Sequence, residues 1–227
     1  MVGGSPGEAL FSSRRGGGAT TVDLLVQSIE QYWPLVTGHP FCREAGDGSL
    51  HPDAFERWMI ADYTFNIHYR RFLAGLMTIA PTATGAEVVS LCLPPVNDDT
   101  TRIMATARRH GIDLDSGTGP TTISFVSYLQ ALLSEGYPVA LAAFYMCQRI
   151  YYEAWSTVRA DADYTTPYWP FIEAWSCDSY SKLIASLARL VNSAAPRGPS
   201  PGMRIAARRV VRFELSFWTA IYGGETW

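Results

Sequence analysis

Three side chains able to do chemistry sit on apolar helical patterns: Cys147, Glu214 and Asp62. In the segment that opens at Pro138, apolar residues recur at helical spacing through Ala143, Phe144, Cys147, Ile150 and Tyr151. That spacing turns the Cys147 thiol inward and sets Tyr151 one turn along on the same face. In the last segment Met203, Ala206, Ala207, Val210 and Val211 lead to Glu214 and then to Phe217, Trp218 and Ile221, so a carboxyl stands where leucine would be expected. Asp62 falls in the same way between Trp58, Met59 and Phe65. A thiol can add to an electron-poor carbon, and a carboxyl whose pKa is raised by burial can give up a proton near neutral pH. An inward acid that is ionised and unpaired costs several kcal/mol, so each of the two needs a reason to be there.

Each residue also fits a plain packing role. A buried cysteine is a small hydrophobe. An inward acid can cap a neighbouring helix or pair with an arginine, for which Arg57, Arg70, Arg71 and Arg149 are available. Tyr151, Trp155 and Trp175 can be core. Periodicity alone leaves both readings open.

The elements that must position these residues are helices. A first helix is predicted over Val22 to Val36, broken by His39-Pro40. After the Asp47-Gly48 turn, Pro52-Asp53 opens a longer one carrying Phe55, Trp58, Asp62, Phe65, Tyr69 and Phe72 on one stripe. The stretch Thr84 to His110 reads as helix interrupted at Pro94-Pro95, giving either a kink or two short helices, and a Gly-rich loop leads to Pro120. Four further helices are predicted at about Thr122 to Leu133, Pro138 to Val158, Pro167 to Val191 and Pro201 to Tyr222. With no period-2 strand and no internal repeat, the expected architecture is an all-α bundle in one domain over 21–227. Residues 1–20, Gly/Ser-rich and without an apolar run after Arg14-Arg15, read as a disordered tail, with a cleaved targeting segment as the alternative.

Composition bounds the partners. The 227 residues are 48% hydrophobic and 13% aromatic, with 7 Trp and 12 Tyr, enough to bury a core around a small-molecule pocket. A net charge of −3 without a dense Lys/Arg run excludes the basic footprint of nucleic-acid binding. No run approaches the roughly eighteen apolar residues of a membrane span. Cys42, Cys92, Cys147 and Cys177 show neither a C-x-x-C pair nor metal-like spacing, which points to reduced thiols and a cytoplasmic protein. Only His39, His51, His68 and His110 could serve a di-iron, heme or quinone-forming site of such a bundle, and none lies in the second half of the chain. Neither metal nor cofactor is therefore expected.

Taken together, several segments resemble the TenA (thiaminase II) family of the heme-oxygenase-like helical fold. They are His39-Pro40-Phe41, Asp47-Gly48-Ser49-Leu50, Asp62-Tyr63 to His68, Cys147-Gln148-Arg149-Ile150-Tyr151-Tyr152-Glu153, Tyr168 to Trp175, and Phe213-Glu214 through Trp218 to Tyr222. The likeness spans about 22–222. It implies Cys147 as nucleophile, Glu214 as proton donor or shuttle, Asp62 as the hydrogen-bonding partner of an aminopyrimidine, and Tyr151 as a polar pocket residue. It also implies a homotetramer, to which exposed aromatics such as Tyr164 and Trp227 could contribute.

Three positions depart from the family pattern. Phe65 and Trp175 stand where tyrosines are usual, and Phe125 does so too unless a one-residue shift puts Ser124 there. Lost hydroxyls remove hydrogen bonds worth about 1 kcal/mol each, and without the hydroxyl at position 65 the thiol is expected to be less acidic. Two enzymatic expectations follow: an aminopyrimidine aminohydrolase, or a relative in specialised metabolism acting on a larger or more apolar aromatic by C–N cleavage or cofactor-free rearrangement. A non-catalytic binding protein with an inert Cys147 is the third.

Overall fold

The computed structural model describes residues 18–227, so most of the N-terminal tail expected over 1–20 lies outside the described residues. Eleven α-helices and two single 3-10 turns account for the described secondary structure. Helix α1 (Thr21–Gln27) starts with a capping box in which the Thr20 hydroxyl accepts from Asp23 N and the Asp23 carboxylate accepts from Thr20 N. The single helix expected over Val22 to Val36 does not continue through. A 3-10 turn at Glu30–Tyr32 separates α1 from α2 (Trp33–Thr37), because Pro34 lacks an N–H to give to the preceding turn and takes a first-turn position instead.

His39-Pro40, expected to be only a break, also starts α3 (Pro40–Asp47). The imidazole Nδ1 accepts from Phe41 N at 3.2 Å, Pro40 fills the first turn, and Gly48 at φ +79° ends the helix. Helix α4 (Pro52–Thr78) is the long element predicted after that turn. Of the two outcomes expected around Pro94-Pro95, two helices form and a kinked one does not. The chain breaks earlier, at Leu91-Cys92, between α5 (Ala83–Ser90) and α6 (Leu93–His110), and the prolines lie in the first turn of α6, where their missing N–H groups cost nothing.

Helices α7 (Pro120–Leu132), α8 (Tyr137–Arg159) and α11 (Pro201–Gly223) follow the expected boundaries closely. The segment from Pro167 divides at extended Cys177 into α9 (Trp169–Ser176) and α10 (Asp178–Ala194). Helix α8 packs against α11, α9, α10 and α2, while α4 packs against α5, α6, α7 and α11. Every residue from Ala140 to Gln148 is buried, so α8 has no solvent face over that stretch and its stripe widens to the whole helix. The described residues are thus all-α. Tyr164 and Trp227 are exposed, as expected.

Candidate active site

Between α4, α6, α7, α8, α9 and α11 the bundle holds a narrow cavity, with about 30 Å³ open to a water-sized molecule. All seven residues singled out in the sequence line it: Asp62 and Phe65 from α4, Phe125 from α7, Cys147 and Tyr151 from α8, Trp175 from α9, and Glu214 from α11. Phe125 is buried and lines the cavity, while Ser124 is exposed.

The close packing of α8 on α11 brings the thiol to the acid. Cys147 Sγ donates to Glu214 Oε1 at 3.2 Å, with each residue only 3% exposed. Burial pushes the Glu214 carboxyl up to about 8, against a partial offset from the thiol hydrogen bond. Burial, and then the neighbouring Glu214 charge, push the Cys147 thiol well above its ordinary range. A free thiolate is therefore not a resting species here. For the sulfur to act as a nucleophile its proton would have to pass to a neighbouring base, and Glu214 Oε1 is the acceptor in place.

The plain reading of the two acids as arginine partners does not hold. Arg57 donates to the Ile221 and Tyr222 carbonyls, Arg70 to Thr100 Oγ1, and Arg149 to Tyr145 while pairing with Glu153. Among the described residues no cation pairs with Asp62 or Glu214. Three buried polar atoms on the cavity wall find no partner among the described residues: Asp62 Oδ2, Tyr69 Oη and Tyr151 Oη. The Tyr151 hydroxyl lies close enough to Asp62 to favour its ionised form, yet forms no hydrogen bond of ordinary geometry with it. Its ring is fixed by stacking on Trp218 at 5.4 Å and by the edge of Trp175 at 5.2 Å. Such orphaned groups cost free energy unless a ligand meets them.

The opposite part of the wall is apolar. Phe65 and Phe125 meet edge to face at 5.3 Å, and Phe125 stacks on Phe213 at 5.1 Å. Trp175 turns out less apolar than its replacement of a tyrosine suggested, because its indole N–H donates to Asp99 Oδ1 at 3.1 Å.

A family model described as TENA/THI-4/PQQC matches residues 26–224. The chain belongs to that family. An aminopyrimidine aminohydrolase of Halalkalibacterium halodurans is 25% identical over 215 residues, covering 89% of this chain and 96% of the relative. A probable bifunctional TENA-E protein of Glycine max is 22% identical over 198 residues, covering 82% and 86% respectively. Among solved structures, a TenA homologue from Pyrococcus furiosus superposes with a TM-score of 0.84 at 26% identity, over 89% of this chain and all of that one. A TenA homologue from P. horikoshii gives 0.80 at 20% identity, over 91% and 100%.

In this TENA/THI-4/PQQC member several cavity residues escaped the sequence reading. Gln148 is buried beside the thiol, and its Oε1 accepts from Tyr180 at 2.6 Å, which fixes the amide plane. Asn66 and Val96 also line the cavity, and Asp99, 1% exposed, sits directly behind its wall. None of the four histidines is a lining residue. The signal for Asp99 was present: Val96, Thr100 and Ile103 share its buried stripe on α6, the same pattern that flagged Asp62 and Glu214.

Proposed function

We propose that the protein is an aminopyrimidine aminohydrolase of the thiaminase II type, with Cys147 as nucleophile and Glu214 as proton shuttle. The observation that carries the reading is the Cys147–Glu214 hydrogen bond at the wall of a cavity whose remaining polar groups lack partners. Family membership and the aminohydrolase relative support the same substrate class.

In the reaction the thiol adds to an electron-poor carbon of the heteroaromatic ring while its proton passes to Glu214. Glu214 then hands that proton to the departing amine as the C–N bond breaks. Water attacks the adduct, the C–S bond breaks, and the thiol is restored. The net change replaces an amine by a hydroxyl and releases ammonia or the larger amine. Asp62, Tyr69 and Tyr151 hold the polar edge of the ring, and Phe65 and Phe125 take its apolar side. Ammonia release from aminopyrimidines, measured beside thiamine cleavage, tests the reading. Activity on neither, with Cys147 intact, would overturn it.

Glu214 accepts the thiol proton only when ionised, so kcat/KM is expected to rise with pH through about 8. A pH–rate profile checks this. A limb that remained unchanged in Glu214→Gln would assign it to another group.

The Phe65–Phe125 wall, backed by Phe213 stacked on Phe125, favours a second reading, in which the same trio acts on a larger, more apolar aromatic. If so, Phe65→Tyr with Phe125→Tyr should tighten aminopyrimidine binding by about five- to thirtyfold, the worth of one or two new hydrogen bonds. Unchanged affinity in a titration would count against this second reading.

A further inference from the structure

Asp62 is not alone on its side of the cavity. Asn66, one turn along α4 from Asp62, donates to Asp99 Oδ2 at 3.0 Å, which sets the two buried carboxyls side by side so that each acts on the other, and among the described residues no cation pairs with Asp62. Two carboxyls so placed cannot both be ionised. The surroundings decide which one carries the charge. Asp99 accepts from Trp175 Nε1 at 3.1 Å, Asn66 Nδ2 at 3.0 Å and Arg102 Nη1 at 3.0 Å, whereas Asp62 Oδ2 accepts from nothing.

From this geometry we infer that one proton serves both carboxyls, that Asp99 keeps the negative charge on its own donors, and that Asp99 is thereby a positioning residue which makes Asp62 meet the ligand as a neutral carboxylic acid, its O–H turning from Asp99 to the ligand. Asp62 then presents one O–H donor and one carbonyl acceptor side by side. That pair matches a neutral amidine edge, a ring nitrogen beside an exocyclic amine, and gives no advantage to a protonated amidinium. The inference rests on the proposed aminopyrimidine site and narrows its substrate to the uncharged form.

The groups facing the pair agree with this assignment. Asp99 and Arg102 come from α6, Cys147 and Tyr151 from α8, Tyr180 from α10 and Glu214 from α11. Arg102 is the one cation among them, and it pairs with Asp99. Burial raises the Asp62 carboxyl, and the charges of Asp99 and Glu214 raise it further. Burial raises Asp99 as well, but there Asp62, Asn66, Arg102 and Trp175 all pull in the opposite direction.

The first test needs no ligand. Infrared difference spectra of wild type against Asp62→Asn at pH 7 should show the carbonyl stretch of a protonated carboxyl lost in the variant. A purely carboxylate difference would overturn the inference. Asp62→Asn replaces a neutral acid by a neutral amide with the same donor–acceptor pair, so the fold is expected to persist.

The second test is binding of a neutral aminopyrimidine and of benzamidinium by titration calorimetry. Wild type should prefer the neutral probe by at least about tenfold. Asp62→Ala should lose that binding and Asp62→Asn recover most of it, while Asp99→Asn should shift preference toward benzamidinium and move the pH dependence of binding to lower pH. A wild type that prefers benzamidinium, or an Asp62→Asn variant as poor as Asp62→Ala, would overturn the inference. Binding of neither probe would count against the aminopyrimidine reading itself, and the infrared result would still decide whether the proton is shared.

Discussion

Glu214→Gln is expected to make the protein more stable and nearly inactive at once. Glu214 is buried on the inward stripe of α11, has no cation beside it, and is relieved only by the Cys147 thiol. In the unfolded chain a glutamate ionises from about 4.5 upward, whereas in the folded protein this one keeps its proton to about 8. The folded state therefore binds the extra proton between those two values, and stability from this group falls as pH rises through that window. The ceiling on the loss is about 5 kcal/mol, and relaxation around a real site brings a measured difference closer to 1–3 kcal/mol.

Glutamine has the shape without the ionisation. Denaturant titration should show the variant gaining over wild type at pH 8, with the difference shrinking toward zero near pH 4.5. Without a group to take the thiol proton and return it to the amine, turnover should fall by about 10²- to 10⁴-fold. A residue serving only the core would not couple a gain in stability to a loss of rate. A variant less stable than wild type at pH 8, or one turning over normally, would remove Glu214 from the role proposed for it.

Cys147→Ala is expected to abolish turnover while leaving the ligand in place. The sulfur is the attacking atom, and removing a nucleophile typically costs about 10³-fold or more. The polar edge of the cavity is built from Asp62, Tyr69 and Tyr151 on other positions of α4 and α8, so binding of an aminopyrimidine should change by less than about threefold. Steady-state kinetics beside calorimetry separates these outcomes. Turnover within a few-fold of wild type would make Cys147 the small buried hydrophobe that its stripe also allowed.

The parts of the structure that periodicity carries were legible in the sequence. Stripes on α4, α8 and α11 turned Asp62, Cys147 and Glu214 inward, and the cavity receives all three. What the stripes could not carry is which helix lies opposite which. Asp99 reads as half of an acidic pair on a polar helix until Trp175, seventy-six residues on, is seen to donate to it. Gln148 reads as the solvent neighbour of Cys147 until α8 is seen to have no solvent side there. The prolines misled for a local reason: Pro34, Pro40 and Pro94-Pro95 each lie in a first helical turn, a position that a break and a start share in sequence. Trp175 shows the limit of reading polarity from residue type, since its N–H anchors Asp99 behind the wall while its ring lines the cavity.

The most direct measurement of the proposed chemistry is rapid-quench intact-mass analysis of the wild-type protein mixed with an aminopyrimidine. The expected result is a covalent species, mapped to Cys147 by peptide analysis, that rises and decays in step with ammonia release. Ammonia release at full rate with no species on Cys147, or with the adduct on another residue, would contradict it.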